Sequence, residues 1–279
     1  MATDGPAAVT SSAATEPRLS TITTPSGDQV TFDHYGPKGA PAVLFIAGAG
    51  PTRADDDVTS QTAKRVAERG FQASVHDRLG RGDSATPGPI SLDRELQAIR
   101  AIAEELAGPV VLVGHSSGCT IAIEAAAHVD ELAGLVLWEA PIGQFTQGAP
   151  KWWQEVEDHV EQGRLEEAVA AYMVDMPPEW LEGLKQSPAY PELINSWIPD
   201  GTSLANVEAV GLQETLREVK VPVLAVVGTQ TFPGMAETAA QIAAAAPNGS
   251  HEEVEGAWHS WDAEAMAERL VSVLGELRG

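Results

Sequence analysis

A serine flanked by glycines, Gly114-His115-Ser116-Ser117-Gly118, follows the β-branched run Val110-Val111-Leu112-Val113 and precedes an alanine-rich helical pattern from Thr120 to His128. G-x-S-x-G between a strand and a helix marks a sharp turn that lifts the serine hydroxyl clear of a sheet. Glycines at 114 and 118 leave no Cβ where strand, turn and helix crowd together. The chemistry open to such a serine is nucleophilic: Ser116 Oγ attacks an acyl carbon while a base takes its proton. Of the seven histidines, His259 in Gly256-Ala257-Trp258-His259 has the best setting for that base, where a last strand ends and a final helix begins. His34, His76, His128, His159 and His251 read as surface or loop residues, and His115 as packing beneath the site.

The elements that must hold these residues follow from hydrophobic pattern and turn chemistry. Leu19 to Thr24 and Gln29 to Tyr35 alternate and flank Pro25-Ser26-Gly27-Asp28, which predicts an antiparallel hairpin. Ala42 to Ala47 is continuously apolar, as a strand buried on both faces should be, and ends in Gly48-Ala49-Gly50-Pro51. Val58 to Arg69 has helical spacing and stops at Gly70, Phe71 to His76 is a strand, and Ser91 can cap a helix reaching Leu106. Gly134 to Trp138 and Val221 to Gly228 are further buried strands, followed by a helix from about Met235 to Ala246. A short strand near Glu252 to Val254 and an amphipathic helix from Trp261 to Leu277 complete the alternation. This pattern predicts an α/β fold with a mostly parallel central sheet covered by helices on both faces. Residues 142–210 interrupt it with helical patterns rich in Trp, Met, Glu and Pro. They read as a helical lid at the carboxyl edge of the sheet, between core segments 18–141 and 211–279, with residues 1–17 as a flexible tail.

Composition narrows the function class. A net charge of −23 disfavours nucleic acid and anionic membrane surfaces, which need clustered Lys and Arg. One cysteine, Cys119, excludes an internal disulfide and a cysteine-based metal cluster, and its place three residues past Ser116 makes it a small buried hydrophobe. No set of His, Asp and Glu has metal-ligand spacing, so neither metal nor cofactor is expected. The first twenty residues lack the apolar core of a signal peptide, and no segment is long and apolar enough to span a membrane. A cytoplasmic protein, monomer or homodimer, is the expectation.

With the elbow, the loop Asp77-Arg78-Leu79-Gly80-Arg81-Gly82-Asp83-Ser84 and Gly256 to His259 together, the chain resembles the α/β-hydrolase family from residue 19 to its end. It is similar within that family to bacterial hydrolases that carry such a loop, a G-H-S-S-G elbow and an E-x-P after the next strand, here Glu139-Ala140-Pro141. Two departures matter. Relatives usually carry His-Gly after the third strand, where this chain has Ala47-Gly48. Most also place the triad acid about three residues after the glycine that ends the strand matched by Val223 to Val227, and Thr231 stands there. A hydroxyl cannot supply the charge that orients and stabilises the imidazolium. Some relatives carry the acid one strand earlier, which is the position of Glu139. A carboxylate ending a buried strand needs a partner, and His259 would supply it. The resemblance therefore implies a triad of Ser116, Glu139 and His259, in the chain order of the fold.

It also implies an oxyanion hole made by the backbone N–H groups of Ser117 and Ala49. Asp77, Arg78 and Asp83 read as a structural network bracing their loop. Of the lid residues Trp152, Trp153, Tyr172, Met173, Met176, Trp180 and Trp197, most should pack within the lid and some should face the serine. The expected pocket wall is Gly48, Trp153, Met176 and Trp258, and the acidic series from Glu155 to Glu167 is a solvated helix face. The implied reaction is hydrolysis of a small to medium, fairly apolar carboxylic ester or lactone. Two alternatives use the same scaffold: a cofactor-independent perhydrolase or lyase, and a receptor-like module that binds ligand with negligible turnover.

Overall fold

The apolar runs assemble into one nine-stranded sheet in the order β1-β2-β4-β3-β5-β6-β7-β8-β9, in a computed structural model that describes residues 16–277. The strands are β1 (Arg18–Thr23), β2 (Gln29–Tyr35), β3 (Ala42–Ile46), β4 (Gln72–His76), β5 (Val110–His115), β6 (Leu132–Trp138), β7 (Val223–Gln230), β8 (Gly249–Ala257) and β9 (Ser260–Trp261). From β4 to β8 the pairing is parallel, while β1 with β2, β2 with β4 and β8 with β9 are antiparallel. Every residue of β3 and β4 is buried, as a central parallel strand requires.

The period-two alternation sorts side chains between two cores. Val43, Phe45, Val111, Val113, Val136 and Trp138 share a cluster with Val66 of α1 (Asp57–Glu68) and Leu270 of α10 (Ala263–Glu276). Leu44, Ile46, Leu112, Leu135 and Leu137 face the other way. They meet Ile99 of α2 (Leu92–Leu106), Ile121 of α3 (Gly118–Ala125) and Ile242 of α9 (Met235–Ala245). Between β6 and β7 lie α4 (Ala149–Glu161), α5 (Leu165–Tyr172), α6 (Pro178–Leu184), α7 (Ile198–Val210) and α8 (Leu212–Leu216). Trp152, Val169, Trp197 and Leu204 of this inserted block join the second core, so the block is welded to the α2/α3 side of the sheet.

Several local expectations shift. The final helix does not begin at Trp261, which pairs with Gly256 in β9; Asp262 then caps α10 by accepting from the N–H groups of Glu264 and Ala265. The strand placed at Glu252 to Val254 runs from Gly249 to Ala257, its alternation hidden by exposed acidic side chains. His34 and His76 are buried rather than on the surface or in loops, because β2 and β4 both lie inside the sheet. Ser91 does cap α2, accepting from Arg94 N at 3.3 Å. The tail expected over residues 1–17 falls outside the described residues except for Glu16 and Pro17.

Candidate active site

Ser116 sits between β5 and α3 with φ +56°, a left-handed conformation that costs a non-glycine residue about 1–2 kcal/mol. Its surroundings hold it there. The Ser116 N–H donates to Trp138 O at 2.9 Å, and its carbonyl accepts from Cys119 N at 2.9 Å. A Cβ on Gly118 would lie 2.2 Å from Ile46 O, and one on Gly114 would lie 2.5 Å from Cys119 Cα. The turn is therefore closed to side chains at both glycines. Cys119 is fully buried, and burial pushes its thiol up, away from reactivity.

Glu139 follows β6 with φ +47°, its N–H donating to Val226 O at 2.9 Å. One carboxylate oxygen, Oε1, accepts from Gly228 N at 3.0 Å, and the other, Oε2, lies 2.6 Å from Nδ1 of His259. Burial alone would raise the Glu139 pKa, but the hydrogen bonds from His259 and Gly228 and the neighbouring Thr231 hydroxyl outweigh it and hold the acid ionised. The Thr231 hydroxyl oxygen is buried beside the carboxylate without forming a well-shaped hydrogen bond. An ionised carboxylate can only accept, so Nδ1 of His259 carries the hydrogen of this contact, and in the neutral imidazole Nε2 is left with the free lone pair.

His259 lies in the tight turn between β8 and β9, not at the start of the last helix, and its φ is +73°. His115 takes part in holding it. The His115 Nε2–H donates to the His259 carbonyl at 2.7 Å, and the two rings stand 4.8 Å apart. Burial and the neighbouring His259 push the His115 pKa down to about 4, so it is neutral at pH 7. The sequence offers no signal for this contact, since it joins residues 144 positions apart. Ser116 and His259 line the same cavity; their side chains are not hydrogen-bonded in this conformation.

Ser117 caps α3, so the helix leaves its backbone N–H unpaired. The Ala49 N–H donates to the Ser117 hydroxyl oxygen at 3.2 Å. Beneath this loop, Arg78 donates to Ala47 O at 3.1 Å and Arg81 to Gly48 O at 2.6 Å. A Cβ on Gly48 would lie 2.9 Å from that of Ser116, so glycine is needed for the loop to approach the serine. Arg78 itself is buried between Glu95 and Asp200, at 2.8 and 2.7 Å. Burial would raise the Glu95 pKa, but Arg78 brings it down to about 2. Asp77 accepts from Arg53 N and Asp83 N, and Arg53 pairs with Asp83. These contacts brace the loop from Asp77 to Ser84.

A cavity of about 640 Å³ opens above Ser116 between the sheet and the inserted helices. Gly48 and Met176 line it, together with Trp152, Tyr172, Phe232 and Leu204. Two expected wall residues do not. Trp153 points into the protein and lies flat on Gly201 of α7, where a Cβ would meet its ring at 2.0 Å; one step along α4 puts Trp152 on the cavity instead. Trp258 is 74% exposed beside the mouth, edge-on to Phe232 with ring centres 6.5 Å apart. Among the described residues, no lysine or arginine lines the cavity, and no helix is long and apolar enough to cross a membrane.

Known proteins resemble the chain at three levels. A family model described as the alpha/beta hydrolase family matches residues 43–273. A curated relative, the lipase LipV of Mycobacterium tuberculosis, is 34% identical over 110 residues, a match that spans 39% of this chain and only 40% of that lipase. An alpha/beta hydrolase from Sphaerobacter thermophilus superposes with a TM-score of 0.67 at 24% identity over 91% of this chain and 99% of its own. An AqdC variant, solved with the Pseudomonas quinolone signal whose ring it cleaves, superposes with a TM-score of 0.66 at 13% identity, covering 93% of this chain and all of that one. Structures this distant share the fold and leave the reaction to the site. The extent of the family match, with the strand–turn–helix serine inside it, makes this chain a member of the alpha/beta hydrolase family.

Proposed function

We propose that the protein is a serine hydrolase that cleaves a small to medium, fairly apolar carboxylic ester or lactone through an acyl-enzyme on Ser116. The observation that carries this reading is the 2.6 Å contact between Glu139 Oε2 and His259 Nδ1, because it equips the imidazole as a base toward the cavity that Ser116 lines. His259 Nε2 takes the Ser116 proton as Oγ attacks the acyl carbon, and Glu139 stabilises the imidazolium that forms. The N–H groups of Ser117 and Ala49 receive the oxyanion. The imidazolium then protonates the leaving alkoxide, which departs from an ester or stays tethered in a lactone. A water deprotonated by the same imidazole releases the acid and restores Ser116.

The size and apolar lining of the cavity support the substrate class, since pockets of about 300–1,000 Å³ hold small organic molecules. Helices α4 to α7 act in this reading as a lid that shapes the acyl site. An organophosphonate, followed by intact mass, should add once to the wild type and not at all to Ser116→Ala. Wild-type protein that stays unmodified would sink the nucleophile. Turnover of p-nitrophenyl esters and lactones, set against ligand-induced thermal shift without turnover, separates the hydrolase from a receptor-like binder.

A further inference from the structure

Three successive residues of the loop over the nucleophile are held by groups that share one carboxylate from the inserted block. Asp200, on α7, is fully buried; its Oδ1 accepts from Arg78 at 2.7 Å and from the Ser117 hydroxyl at 2.7 Å, and its Oδ2 accepts from Arg81 at 3.3 Å. Arg78 holds Ala47 O, Arg81 holds Gly48 O, and the Ser117 hydroxyl oxygen receives the Ala49 N–H. We propose that Asp200 and the Ser117 side chain are positioning residues for the oxyanion hole. They aim the Ala49 N–H, and the hole is complete only while α7 is docked. This rests on the reading of Ser116 as the nucleophile.

The chemistry of the hydroxyl explains the direction of the relay. A serine hydroxyl is a free rotor that donates once and accepts twice. Asp200 takes its single hydrogen, so only lone pairs remain to face the loop, and an N–H is what they attract. Without the carboxylate, the hydroxyl could turn its hydrogen toward the cavity and release Ala49. The carbonyl sides of Ala47 and Gly48 are clamped by arginine, and Ser117 supplies the polar contact on the N–H side of Ala49. The Ala49 contact is long at 3.2 Å, so the N–H can keep Ser117 Oγ as one acceptor and share its hydrogen with a developing oxyanion as the other. Arg78 and Arg81 balance Glu95 and Asp200, so the relay brings no net negative charge toward the oxyanion.

The test uses Ser117→Ala, which keeps the backbone N–H and every buried ion pair. A trifluoromethyl ketone built on a hydrolysed ester reports the hole, because its Ser116 adduct places an oxyanion there; the matching secondary alcohol reports only the pocket. Ser117→Ala should lower kcat about tenfold, less than the ~10²–10³ for outright loss of one donor, with KM unchanged. Ketone affinity should fall by the same factor, and alcohol affinity should stay the same. Asp200→Asn, if it folds, should show the same split. Ser117→Ala with wild-type kcat and ketone affinity would overturn the relay while leaving the nucleophile intact, as would equal losses of ketone and alcohol affinity. A wild type that binds ketone no more tightly than alcohol would overturn the nucleophile and the relay together.

Discussion

Glu139 and His259 are 120 residues apart in the chain and 2.6 Å apart in the fold, with the carboxylate ionised and Nδ1 of the imidazole as donor. Glu139→Gln replaces the acceptor with an amide that carries no charge for the imidazolium and can turn an N–H toward Nδ1, favouring the wrong tautomer. Steady-state ester hydrolysis should show kcat reduced by about 10²–10⁴ with the fold retained. Thr231→Ala should leave kcat within about threefold, because the carboxylate keeps its bonds to Gly228 and His259. Near wild-type turnover in Glu139→Gln would move the acid elsewhere.

His115 should leave a mark on the acid limb of the stability curve. Its folded pKa of about 4 lies below the unfolded value near 6.5, so between those values the unfolded chain binds more protons. The contribution is therefore complete above pH 6.5 and is lost as pH falls toward 4. It is at most about 3 kcal/mol, less to the extent that cavity water reaches the ring. His115→Gln can still donate to the His259 carbonyl but does not titrate. Urea unfolding from pH 7 to 4 should therefore show a shallower loss in that variant than in the wild type.

Arg78 stands between two buried carboxylates. Arg78→Met fills similar volume but leaves Glu95 and Asp200 without their main partner, which should destabilise the protein by about 3–5 kcal/mol in denaturant titration. A change under about 1 kcal/mol would mean that water or Arg81 replaces the pairing.

Substrate charge should matter. With Asp175 on the cavity lining and no lysine or arginine there among the described residues, an ester bearing a carboxylate has no cation to meet. In a pair of p-nitrophenyl esters of equal length, kcat/KM should be at least about tenfold higher for the neutral one, and Asp175→Asn should narrow the gap. Equal rates would place the acyl chain away from Asp175.

Sequence by itself determined what is local. The turn at Ser116 is legible because strand, glycines and helix lie within the 16 residues from Val110 to Ala125, and each glycine answers a clash that its neighbours create. The strand–helix alternation gives the sheet for the same reason: period and turn chemistry act over short stretches. The pairing of Glu139 with His259 was legible only indirectly, through Thr231 in the place where a carboxylate was expected and Glu139 ending another strand. Tertiary structure decided the rest. Trp152 rather than Trp153 faces the cavity because one residue of helix is a turn of about 100°, and nothing in the pair Trp-Trp says which face meets α7. Trp258 is thrown outward by a left-handed turn that only the pairing of β8 with β9 imposes. His115 on the His259 carbonyl and Asp200 under the Ala49 loop bridge more than 80 residues of chain to Ser117 or His259. Such contacts carry no period and no motif; they exist because packing brings two distant backbones to hydrogen-bonding distance.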